Sequence, residues 1–244
     1  MKMESARVLE WMPEMPESGA LFAEGLGTAV LVLASAGAGS AYGAFGGAVG
    51  GAQTALAPGL TLMTLILLFG RSSQGHFNPA VTLGMALAGR FPKTKVLPYA
   101  AAQCGGALAA GTLLRLLLRS TMLGISATQM HSWAALLLEA ILSFWLIWVY
   151  LAVSEKGFPL LHAALALGAT VSAALFWAGP LSGASMNPAR SLGPALAAGE
   201  FEGLWIYLIG PCVGAAAGGA AYRIWKGSPW AGDSRVGAPP TGEA

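Results

Sequence analysis

The residues of this chain best placed to do chemistry are two asparagines, each followed by Pro-Ala: Asn78-Pro79-Ala80 and Asn187-Pro188-Ala189. A side-chain amide offers two N–H donors and a carbonyl acceptor without carrying charge. Proline suits the first position of a helix, where its missing N–H would have had no partner. Each box therefore predicts a loop turning into a short helix with Asn at the cap. The surroundings repeat too. Asn78-Pro79-Ala80-Val81-Thr82-Leu83-Gly84 lies over Asn187-Pro188-Ala189-Arg190-Ser191-Leu192-Gly193, 109 residues apart (187 − 78). The chain reads as a duplicated unit.

The elements that hold these boxes follow from composition. Of 244 residues, 55% are hydrophobic and 10% charged, with mean hydropathy +0.63, where a soluble domain carries about 25% charged residues. This is an all-α membrane protein. Thirteen basic side chains against 11 acidic ones leave a net charge of +2, too balanced for a nucleic-acid partner. Six apolar stretches approach the ~20 residues a span needs, at roughly 20–41, 53–70, 96–118, 133–153, 160–178 and 204–225. The boxes fall between spans, in connections broken by Gly and Pro, and the helical pieces near 78–89 and 187–198 are too short to cross alone. They are predicted to be re-entrant half-helices.

Lys2, Arg7, Arg71, Arg90, Lys93, Lys95, Lys156, Arg223, Lys226 and Arg235 fall in the tails and the even connections, and Arg115, Arg119 and Arg190 on the other side. With the cytoplasm positive, both termini are cytoplasmic, and three spans between the boxes invert the second half relative to the first. The expected organisation is a tail over 1–18, a channel domain over 19–226 made of repeats at about 19–118 and 132–226, and a disordered Pro-containing tail over 227–244. Residues 1–18 hold no signal-peptide pattern, so a bacterial inner (plasma) membrane is the expected location.

Half-helices entering from opposite faces aim their positive dipole ends at each other near the midplane, where the amides of Asn78 and Asn187 also meet. A neutral hydroxyl oxygen can accept from both, a cation is repelled, and a proton hopping along a water file meets a central water forced to donate outward. The extended backbone before each box, Gly75-His76-Phe77 and Gly183-Ala184-Ser185, can show carbonyls only to a cavity, since carbonyls facing lipid would cost several kcal/mol each. A water-filled path is the consequence.

With these residues the chain resembles the aquaporins, or major intrinsic proteins. Glu24 in span one, Gly75-His76-Phe77, Gln103, Glu139, Arg190 and Gly210-Pro211 match alongside the two boxes. The resemblance implies six transmembrane helices plus two half-helices in an inverted 3+3 repeat, assembled as a homotetramer with one pore per subunit. It gives Gly75, His76, Phe77, Gly183 and Ser185 as pore-lining carbonyls, and Glu24 and Glu139 as braces for the re-entrant loops, with a proton relay as the other reading of those carboxylates. It places a selectivity filter at Pro58, Leu175, Ala184 and Arg190. Strict water channels carry an aromatic residue, a histidine and a small polar residue or cysteine at the first three, so this filter is expected to be wider and more apolar, with Arg190 as its main donor. The segment around the second box, with Ser191, Ala195, Tyr207 and Leu208, is similar to the nodulin-26-like branch and its bacterial relatives. Such channels pass glycerol, and many pass undissociated boric, silicic or arsenous acid. Pro58 departs from the pattern and frees the carbonyl of Thr54 four residues back.

A passive channel for water and small neutral solutes is the leading reading, with a strict water channel as its narrower form. An alternating-access transporter also uses inverted repeats and broken helices, but the spans lack the acidic residues that ion coupling uses. A membrane enzyme would need a metal-ligand cluster or a nucleophile set at one depth, and none stands out. No cofactor or metal is expected. His76 reads as loop packing or as a titrating gate, His131 and His162 as interface residues, and Cys104 and Cys212 as buried thiols. The tryptophans at 133, 145, 148, 177, 205 and 225 read as belt or lipid-facing residues, Arg115 and Arg119 as snorkelling cations. Gly46/Gly50, Gly47/Gly51, Gly214/Gly218, Gly105, Gly106 and Ala110 read as close-packing positions.

Overall fold

The computed structural model describes residues 17–45, 51–119, 123–155 and 159–227. Both expected tails beyond those limits, the pairs Gly46/Gly50 and Gly47/Gly51, and Lys156 lie outside or reach outside the described residues. Among the described residues eight α-helices follow in order: α1 (Glu17–Phe45), α2 (Gly51–Ser73), α3 (Pro79–Leu87), α4 (Val96–Leu118, entered through a turn of 3-10 helix at Lys93–Lys95), α5 (Ser132–Glu155), α6 (Leu160–Ser182), α7 (Pro188–Ala198) and α8 (Leu204–Lys226). Among the described residues six helices are long and apolar enough to cross a membrane. The two short ones, α3 and α7, begin at Pro79 and Pro188. Glu17 and Ser18, assigned to the tail by sequence, open α1 instead.

The long helices pack α1 on α4 and α2, α2 on α6, and α5 on α8 and α6, while α3 rests on α8 and α7 on α4. Each half-helix thus lies against the last helix of the other repeat. Small residues let them approach. A methyl on Gly193 of α7 would come within 2.3 Å of the Ala107 carbonyl of α4, and one on Gly219 of α8 within 2.5 Å of the Gly84 carbonyl of α3. Outward, Phe22, Leu68, Leu97 and Leu116 are all more than half exposed, the surface of a chain solvated by lipid.

Of the close-packing positions, Gly106, Gly214 and Gly218 face neighbouring backbones, and Ala110 is buried. Gly105, one step round the helix from Gly106, meets nothing. Gly106→Ala forces a Cβ to within 1.9 Å of the Gly25 carbonyl, whereas Gly105→Ala has nothing within 4 Å. Size exclusion in detergent is expected to show aggregation for the first variant and wild-type behaviour for the second, because backbone this closely packed cannot move aside.

Two further expectations change. Arg115 does not snorkel: its Nη1 donates to the carbonyl of Ala197 at the C-terminal end of α7. Arg223 of α8 does the same for α3, with Nη1 3.3 Å from the Leu87 carbonyl. The carbonyl ends of the half-helices attract cations, which outweighs the headgroup for a side chain in reach. Among the tryptophans, Trp133, Trp145 and Trp177 are exposed. Trp148 and Trp225 instead turn inward against Tyr222, at ring-centroid distances of 5.3 and 5.4 Å.

Candidate functional site

The two boxes meet head to head. Asn78 and Asn187 cap α3 and α7 from extended backbone (φ −158° and −145°), each using its Oδ1 for the first free N–H groups. Asn78 accepts from Ala80 at 2.8 Å and Val81 at 3.4 Å, Asn187 from Ala189 at 3.0 Å and Arg190 at 3.3 Å. Their amide nitrogens cross to the other repeat: Asn78 Nδ2 donates to the Met186 carbonyl at 2.7 Å, and Asn187 Nδ2 to the Phe77 carbonyl at 2.9 Å. Each NH2 has a second hydrogen, and both asparagines line the same cavity. Donors from two half-helix tips are therefore fixed at one point.

That exchange requires the carbonyls of Phe77 and Met186 to turn, and the backbone does so by entering the left-handed region there, at φ +49° and +52°. Ala184 (φ +42°) stands where the first loop has Gly75 (φ +64°). Left-handed backbone costs a residue with a side chain about 1–2 kcal/mol, so something must hold it. Glu24 and Glu139, both fully buried, face these loops. Glu24 Oε1 accepts from the His76 N–H at 2.9 Å and Oε2 from the Phe77 N–H at 2.6 Å. Glu139 Oε1 accepts from the Ser185 N–H at 3.0 Å and Oε2 from the Met186 N–H at 2.8 Å. Ser73 and Ser182 hydroxyls complete the two carboxylates at 2.7 and 2.9 Å, and Gln103 Nε2 adds a fourth donor to Glu24 at 2.7 Å. Every group that meets these carboxylates in the shell donates to them, an arrangement that suits an anion.

A cavity of about 530 Å³ runs past both asparagines. All four filter positions line it: Pro58, Leu175, Ala184 and Arg190. Pro58 sits buried within α2, and Thr54, whose carbonyl it leaves without an N–H partner, lines the cavity too. Of the loop residues named for their carbonyls, His76, Gly183 and Ser185 reach the wall. Gly75 and Phe77 are not among the lining residues; their carbonyls accept from the Tyr150 hydroxyl at 3.0 Å and from Asn187 Nδ2 at 2.9 Å. His76 is buried, with Nδ1 3.1 Å from Thr82 Oγ1 and its ring edge-on to Phe91. That is the packed-loop arrangement.

Several contributors escape a reading of the sequence. Tyr99 and Tyr207 hydroxyls donate to the Ser73 and Ser182 carbonyls at 3.2 and 2.6 Å, bracing the ends of α2 and α6. Ser126, in the connection between α4 and α5, accepts from Arg190 Nη1 at 2.6 Å. The pair Ser185–Ser191, at 2.6 Å, stands where the first repeat has His76–Thr82, and the repeat offset was signal enough to find it. Ser126 offered no such signal, since nothing in the first repeat corresponds to it.

The major intrinsic protein family matches residues 12–222. Aquaporin NIP1-1 of Oryza sativa subsp. japonica is 42% identical over 213 residues, 84% of this chain and 73% of that protein. Aquaporin NIP1-4 of the same plant is 42% identical over 73% of this chain and 66% of its own length. Nodulin-26 of Glycine max is 43% identical over 68% of this chain and 62% of its own. Among solved structures, the aquaglyceroporin from Plasmodium falciparum superposes with a TM-score of 0.78, covering 85% of this chain and 96% of that one at 24% identity, a likeness of fold. A family match over most of the chain, with two Asn-Pro-Ala boxes exchanging hydrogen bonds along a membrane-embedded cavity, makes this chain a member of the major intrinsic protein family, the aquaporins, on its nodulin-26-like branch: a membrane channel for water and small solutes and not an enzyme.

Proposed function

We propose that the channel passes glycerol and undissociated metalloid acids such as boric, silicic or arsenous acid together with water, and excludes ions and protons. The observation that carries this reading is the composition of the cavity wall at the filter. Pro58, Leu175 and Ala184 line the cavity together with Arg190, so these four positions contribute a single charged donor and no aromatic ring or imidazole of their own. A solute with a small apolar centre and hydroxyls on its rim matches such a wall, its carbon or metalloid core against Pro58 and Leu175 and its oxygens towards Arg190. Asn78 and Asn187 then receive each oxygen in turn at the half-helix tips.

The test is stopped-flow light scattering on proteoliposomes, comparing shrinkage under an impermeant osmolyte with re-swelling under glycerol, urea and boric acid. Fast re-swelling with glycerol and boric acid is the expected result. Shrinkage without re-swelling would make this a strict water channel. Arg190→Val, in the same vesicles, is expected to raise small-cation conductance severalfold, because a fixed positive charge is removed from a low-dielectric passage. An unchanged conductance would assign the cation barrier to the half-helix ends alone.

Assembly and placement belong to the same proposal. Four subunits, each with its own pore, would cover the exposed leucines that lipid does not. Arg71, Arg90, Lys93, Lys95, Arg223 and Lys226 gather at one end of the bundle, which favours that end as cytoplasmic. The named relatives are plant proteins and give a bacterial inner membrane no support, so the location is kept to an integral membrane with the basic end inside.

A further inference from the structure

A buried array of hydroxyls in the outer half of the pore is left without a role by the filter and the asparagines. Ser126 Oγ lies 2.7 Å from Ser191 Oγ, Ser191 Oγ lies 2.6 Å from Ser185 Oγ, and Ser185 Oγ lies 3.0 Å from the Asn187 carbonyl. Arg190 Nη1 closes the other end on Ser126 at 2.6 Å. We propose that Ser126 is a specificity-determining residue of this pore, which holds Arg190 through one N–H and presents its own oxygen as the acceptor for a hydroxyl proton of a polyol or polyhydroxy acid. The proposal deepens the solute reading above and rests on it.

Proton counting fixes the direction of the array. A carbonyl only accepts, so the single proton of Ser185 goes to Asn187. Ser191 must then donate to Ser185, Ser126 must donate to Ser191, and Ser126 accepts from the guanidinium. Each hydroxyl donates once and accepts once, and hydrogen bonds running head to tail strengthen one another. All three protons are spent inside the array. What Ser126 and Ser185 can turn to the cavity, which both of them line beside Arg190, is a lone pair. What Arg190 can turn to it is N–H, since one bond to Ser126 leaves four of its five donors. Ser191 is fully buried and takes part only as a link.

A donor and an acceptor side by side suit a group that both accepts and donates, which every C–OH, B–OH or As–OH does. An ether or carbonyl oxygen of the same size can use only the arginine. The first repeat makes no such array at the corresponding place: Thr82 is met there by His76 at 3.1 Å and by Gln103 at 3.0 Å, and its own hydroxyl donates to the Asn78 carbonyl at 3.0 Å. The asymmetry between the repeats therefore puts hydroxyl recognition at the outer end alone.

The test uses proteoliposomes of the full chain with Ser126→Ala, Ser126→Thr and Ser191→Ala. Removing the Ser126 hydroxyl is expected to lower glycerol flux about tenfold more than it lowers water flux. Threonine should restore the ratio, and Ser191→Ala should reproduce the loss although its side chain does not touch the cavity. Equal effects of Ser126→Ala on water and glycerol, or none on either, would overturn the role. Thermal inactivation in detergent of Ser126→Ala, Ser191→Ala and the double variant reads the array without any solute. One linked array predicts that the double variant is no worse than the worse single, and additive losses would overturn the linkage. A wild-type channel that passes no glycerol overturns the solute class and with it this use of Ser126, whereas the inactivation result stands on its own.

Discussion

Leu175→His combined with Ala184→Thr will cut glycerol flux by more than about tenfold while the vesicles still shrink rapidly under an impermeant osmolyte, a rise of about 1.4 kcal/mol or more in the barrier for the larger solute. Both residues line the cavity beside Arg190. Leucine and alanine present only carbon to the path, whereas an imidazole and a hydroxyl present hydrogen-bonding groups. Water trades its partners for these groups at little cost, being small and both donor and acceptor. Glycerol has a carbon backbone that must slide past them, and the apolar surface it used is gone. Ala184 also has φ +42°, where a β-branched threonine is strained, so Ala184→Ser is the control for a backbone effect. Equal loss of water and glycerol in the double variant would remove Leu175 and Ala184 from the filter.

Glu139→Gln is expected to lower thermal stability by about 2–12 °C, since a buried donor left unmatched costs about 1–3 kcal/mol and a chain of this length loses about 2–4 °C per kcal/mol. Both flux and stability should fall together. Glutamine is close to glutamate in size, so packing is kept and only the pattern of donors changes. Oε1 now accepts from Ser182 and Ser185, and Oε2 from Met186. Whichever way the amide is turned, its NH2 faces a backbone N–H that cannot turn away. If it faces Met186, the residue whose left-handed backbone presents a carbonyl to Asn78 loses its anchor, and the pore centre loosens with it. Glu24→Gln should behave alike, with either the His76 or the Phe77 N–H stranded according to which way the amide is turned. A carboxylate whose role was to relay protons would show the opposite split, with stability kept and only proton movement lost.

The parts legible in the sequence are those whose physics is local. Asn-Pro at a helix start is chemistry within three residues, so the beginnings of α3 and α7 are where the boxes put them. Their ends, Leu87 and Ala198, fall within two residues of the stretches read from apolarity. Glu24 and Glu139 came from the family resemblance, and the expense of a carboxylate in an apolar helix only marked them as groups needing partners. Contacts made across the fold were hidden. The acceptor of Arg115 lies 82 positions away, and nothing in the local pattern separates it from an arginine reaching for headgroups. Gly105 and Gly106 differ by one step around α4, enough to put one against the Gly25 backbone and the other in open space. Loop carbonyls were read as free to face the pore, but those of Gly75 and Phe77 are taken by Tyr150 and Asn187, donors that lie 75 and 110 positions away in the chain and that only the folded chain brings near.

The arginines at the ends of the half-helices tie the two repeats to each other. Arg115 belongs to the first repeat and satisfies α7 of the second; Arg223 belongs to the second and satisfies α3 of the first. A single copy of the repeat carries the key for a lock it does not contain. Alone in a bilayer it would leave the carbonyls at one end of its short helix unmet and its arginine idle, and a second copy inserted the other way up would repair both faults at once. Neither half of the channel is therefore finished without the other: each repeat, turned upside down against its partner, closes the end that the partner leaves open.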